Sequence, residues 1–149
     1  PVLITQSVLQ IASRKNSNDK KNLNKFLNKT YSLGLIFSLF IGLIIIIFSK
    51  WIIFYMSGEY IDYSQKILII LSLIPFFSML NFKNMIIILV NEMKEVLYVT
   101  TWYCVLFLLI IGSLLSYLFG GVGLSISLIL TEIFNYFLCQ FFIKKNESK

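Results

Sequence analysis

There is no histidine in these 149 residues, and only two cysteines, two prolines and seven acidic residues. The missing histidine excludes Ser/His/Asp and Cys/His nucleophile pairs and removes the commonest ligand of zinc and haem sites. Cys104 and Cys139 sit inside apolar blocks and read as small buried hydrophobes, not as a disulfide or a reactive pair. No metal and no cofactor is therefore expected. No Gly-x4-Gly-Lys-Ser/Thr phosphate loop occurs. Glu59 and Asp62 lie three apart with no other acid or base beside them, which reads as a solvated loop. The chain is expected not to be an enzyme. It also opens at Pro1 with no signal-peptide pattern, and the expectation is a fragment of something longer.

Charge is scarce as well. Only 13% of residues are charged, against about a quarter in an average soluble domain. What fills the chain is apolar: 58% hydrophobic residues and a mean hydropathy of +0.83. These residues come in long uncharged runs, and runs of about 18 or more read as membrane spans. The net charge is +6, with six of the thirteen cations between Arg14 and Lys29 and three more at Lys144, Lys145 and Lys149. Cations placed beside apolar runs hold loops on the cytoplasmic side, so no nucleic-acid partner is expected.

The pattern predicts an all-α, polytopic membrane bundle of four transmembrane helices. Residues 1–29 form a basic cytoplasmic segment. Val2, Leu3 and Ile4 read as the end of an earlier span. Leu23, Phe26 and Leu27, ringed by Lys20, Lys21, Lys25 and Lys29, predict a short amphipathic helix suited to an anionic leaflet, or a plain lead-in to the next span. The transmembrane region is 30–149, with spans at about 30–54, 67–91, 96–118 and 124–143. The first contains Gly34, Ser38 and Gly42 at four-residue spacing, a face that permits close helix approach. Trp51 and Tyr55 lie at its interfacial end. The second carries Pro75, which predicts a kink. From Val96 to Thr131 there are 36 uncharged residues. As one helix they would run roughly 54 Å, too long for a ~30 Å hydrocarbon core. Gly120, Gly121 and Gly123 therefore predict a turn. An even number of spans with basic segments at both ends places both ends in the cytoplasm.

Polar residues inside these spans are the candidate functional residues, because such groups face protein or water rather than lipid. Ser127, Thr131 and Asn135 recur at i, i+4 and i+8 with Glu132 adjacent, and span two holds Ser78, Asn81, Lys83 and Asn84. The candidates for binding cargo or a coupling ion are Glu132, Asn135, Thr131, Lys83 and Asn81. Counting residues from the span ends sets Lys83 and Glu132 about 12 Å apart in depth, so no direct ion pair is expected between them.

Four features carry a family resemblance: Pro1 followed by a basic stretch, Ser57-Gly58-Glu59-Tyr60 at the end of the first span, Gly120-Gly121-Val122-Gly123 before the last span, and Glu132 within it. With the Ile/Phe/Lys/Asn-rich composition, the chain resembles the C-terminal third of a bacterial polysaccharide (O-antigen or repeat-unit) flippase. That family belongs to the multidrug/oligosaccharidyl-lipid/polysaccharide exporter superfamily. The resemblance implies a twelve-span parent of two six-helix lobes with alternating access, this chain supplying spans nine to twelve of it. The partners it implies are an undecaprenyl-pyrophosphate-linked oligosaccharide as cargo, membrane lipids, and the N-terminal lobe of the same protein, in the bacterial inner membrane. A drug or ion exporter of the same superfamily is an alternative. So is a membrane-embedded glycan polymerase or transferase, which the short loops disfavour.

Overall fold

The computed structural model describes residues 20–91 and 93–147, with side chains from Asn28 onward except those of Val90 and Glu147. The expectations for Val2–Ile4, for the rest of 1–19, for the side chains of Leu23, Phe26 and Leu27, and for Glu92 lie outside the described residues. Every regular element among the described residues is an α-helix: α1 Lys20–Ser57, α2 Asp62–Leu71, α3 Ile74–Val90 and α4 Lys94–Glu147. The backbone of 20–29 is simply the start of α1.

Three stretches are long and apolar enough to cross a membrane: Asn28–Ser57, Asp62–Leu89 and Lys94–Asn146. Four were expected, and the count is corrected to three. The reason lies in the glycine turn. It carries no charged residue and needs only one non-helical residue, so helix continues on both sides and the break is confined to Gly120 (φ 61°, ψ −139°). The third stretch is nevertheless doubled back. Phe107 and Phe134 stack with ring centroids 4.3 Å apart, whereas 27 residues of straight helix would hold them roughly 40 Å apart. Its two arms, 94–119 and 121–147, thus lie side by side. Gly123 makes this possible, because a Cβ there would collide with the Leu115 carbonyl on the other arm.

The turn is stitched to α2. The Tyr63 hydroxyl donates to the Phe119 carbonyl at 3.1 Å and accepts from the Val122 amide at 3.3 Å. These are backbone groups at the helix break, and a break needs such partners. α2 and α3 form one apolar stretch interrupted at Ser72–Leu73, with Pro75 in the first turn of α3. Pro75 has no amide hydrogen to give the Leu71 carbonyl, so the helix stops and restarts. α1 approaches this break through its small face. A Cβ on Gly42 would lie 2.9 Å from the Ser72 carbonyl oxygen, and one on Gly34 would clash with Met79. Ser38 and Ser49 on α1 are buried, and Gln65 donates to Ser49 Oγ at 2.8 Å. The α2–α3 stretch packs on both α1 and α4.

Burial is inverted relative to a water-soluble bundle. The buried polar residues are Ser38, Ser49, Ser72, Asn81, Asn84, Thr100, Ser125 and Ser127, while the buried apolar ones are Ile86, Ile88, Val96, Cys139 and Ile143. Large apolar side chains such as Phe37, Phe40, Ile47, Leu109 and Ile110 lie on the outside. Small and polar groups hold the helices together, and the exterior is made of Ile, Leu and Phe.

Candidate functional site

Two faces of the second arm of α4 carry its polar residues, and they have different neighbours. Glu132 faces α3. The Asn81 Nδ2 donates to Glu132 Oε2 at 2.7 Å and to the Glu132 backbone carbonyl at 3.0 Å. Asn81 is 4% exposed, and its Oδ1 has no hydrogen-bond partner among the described residues. One turn further on, Asn84 Nδ2 lies 3.5 Å from the Tyr136 carbonyl. Asn81 and Asn84 thus form a polar seam between α3 and α4, each reaching the opposite backbone.

The stripe of Ser127, Thr131 and Asn135 is engaged elsewhere. Ser127 is fully buried and lies against Gly112 of the first arm. Thr131 Oγ1 donates to the Ser127 carbonyl at 2.8 Å, and the Cys139 thiol lies 3.4 Å from Asn135 Oδ1. No hydrogen bond joins Thr131, Asn135 or Lys83 to the Asn81–Glu132 pair among the described residues. The structure therefore brings together two of the five sequence candidates.

Lys83 is exposed and opens onto a cleft of about 540 Å³ at the end of the bundle where α1 begins and α3 and α4 end. Tyr31, Asn84, Tyr136, Gln140 and Lys144 share its lining. Sequence reading named none of these as site residues and noted Asn84 only as a polar residue of the second span. The signal was present: Tyr136, Gln140 and Lys144 recur every four residues on one helix face. Gln140 Nε2 donates to the Tyr136 hydroxyl at 2.9 Å. Lys66 pairs with Asp62 at 2.7 Å at the start of α2, away from this cleft. No group of three His, Cys, Asp or Glu able to hold a metal exists among the described residues.

No protein-family model, curated protein or solved structure matches the chain.

Proposed function

We propose that this bundle sits in a bacterial inner membrane. There it forms the C-terminal part of a flippase that moves an undecaprenyl-pyrophosphate-linked oligosaccharide by alternating access, and it is a transporter rather than an enzyme. The observation that carries the reading is the inverted burial, with small and polar residues between helices and Ile, Leu and Phe outside. In water that exterior is costly; in hydrocarbon it is the solvated surface. The doubled-back third stretch then crosses twice, giving four crossings with both ends on the cytoplasmic side. Trp51 and Tyr55 near one end, and Tyr98 and Trp102 near the other, are all exposed, and interfacial aromatics at both ends support the reading. The resemblance through Ser57-Gly58-Glu59-Tyr60, the glycine turn and Glu132 is the basis for the cargo and for an N-terminal lobe as partner.

Glu132 is the test. Within 96–146 it is the only acid, and intramembrane acids mark functional positions. Glu132→Gln keeps an acceptor for Asn81 and removes the charge. In the intact protein, complementing a flippase-null strain, the expected outcome is wild-type protein level and melting with sharply reduced glycan export. Export that stays normal, or falls only in step with protein level, makes Glu132 a packing residue. Residues 1–149 alone are expected not to restore export.

A further inference from the structure

The cleft at the end of the bundle gathers two ammonium groups, with no carboxylate among the described residues of its lining. Lys83 comes from α3 and Lys144 from the last turns of α4, and Asn84, Tyr136, Gln140 and Tyr31 complete the polar wall. Neither lysine forms an ion pair with a described residue. Two like charges sharing one concavity raise its free energy, the more so where low-dielectric walls focus the field. A bound anion relieves this. The neutral groups suit the same ligand. The Tyr136 hydroxyl accepts from Gln140, so its own hydrogen is available to donate. Gln140 keeps a second amide hydrogen. The donors thus outnumber the acceptors, as tetrahedral oxyanions require. A volume of about 540 Å³ falls within the ~300–1,000 Å³ of ligand sites. The cleft lies where α1 starts and α4 ends, at headgroup level if the bundle spans a bilayer.

We propose that this cleft is a phosphate-binding site for the headgroup of an anionic phospholipid, with Lys83 and Lys144 as its two charged contacts. The proposal rests on the membrane reading above but not on the flippase reading, and its test involves no transport. The intact protein is purified in detergent, incubated with phosphatidylglycerol or phosphatidylcholine, and examined by native mass spectrometry for retained lipid. Phosphatidylglycerol is expected to be retained preferentially. Lys83→Gln with Lys144→Gln is expected to lower that retention about tenfold, the loss of two solvent-exposed charge contacts, while melting is unchanged. Lys83→Arg keeps the charge and is expected to keep most of the retention. Lys50→Gln, a charge change at the opposite end of α1, serves as the control and is expected to have no effect. Competition separates the sources of the phosphate. Displacement of phosphatidylglycerol only by another anionic lipid supports a lipid headgroup. Displacement by millimolar inorganic phosphate or pyrophosphate alone assigns the site to a free anion and overturns the lipid assignment. Retention that is equal for both lipids, or unchanged in the double variant, or lost equally in Lys50→Gln, overturns the site.

Discussion

Asn81 and Glu132 divide their hydrogen-bonding capacity unevenly. The amide nitrogen of Asn81 serves two oxygens of Glu132, while its own Oδ1 stays buried without a partner. Removing one member of such a pair strands the other, which costs more than removing both. Asn81→Leu is therefore expected to destabilise the intact protein by about 1–3 kcal/mol, read from thermal melting in detergent. Asn81→Leu with Glu132→Leu is expected to recover most of that loss. If the double variant melts at the simple sum of the two singles, the side chains are not coupled. Both residues were legible as polar intruders in apolar helices, but their contact was not. Depth counting placed Lys83 and Glu132 far apart and gave no reason to join Asn81 to Glu132. From Tyr63 to Asn81 is roughly 27 Å of straight helix and from Gly121 to Glu132 roughly 17 Å, yet both pairs of positions meet. The α2–α3 path, broken at Ser72–Leu73, is therefore bent or oblique relative to α4, and residue counting along one chain does not see that.

At the level of elements, the glycines decide more than the apolar runs do. The backbone of Gly120 lies in a region essentially reserved for glycine, and a Cβ there would fall 2.6 Å from the Tyr63 hydroxyl. Gly120→Ala is expected to cost about 1–3 kcal/mol, measured by thermal melting. Tyr63→Phe, which leaves the backbone free to keep its shape, is expected to cost less. Equal melting for Gly120→Ala and wild type would mean that the turn is not strained. Three glycines in four residues announced this reversal from the sequence, and the small face of α1 was equally plain. The number of separate helices was not, because an uncharged turn of one residue leaves helix on either side. The break before Pro75 follows from the missing amide hydrogen, which the sequence displays. The cleft around Lys83 was hidden because its wall comes from three elements, and their adjacency is a tertiary fact.

For the whole molecule, Tyr63 fixes which connections share an end. Its contacts with Phe119 and Val122 put the segment after Ser57 and the turn at Gly120 together. The cleft that joins Tyr31 to Ile87 and Ile143 puts the start of α1 with the ends of α3 and α4. Reporters inserted after Gly58 and after Gly121 are accordingly expected on one side of the membrane, the external one. A reporter at the C-terminus is expected on the other. Opposite sides for the first two would overturn the arrangement, and external placement of the C-terminus would reverse its orientation. The stacked Phe107 and Phe134 close a loop of under thirty residues, whereas Asn81 and Glu132 are separated by 51. Shorter loops lose less chain entropy on closing, and local contacts form sooner. If the chain spans a bilayer as proposed, the doubled arms of α4 are expected to pair early, with no charge at their tip to carry across. On that order α3 docks last, onto a wall already formed.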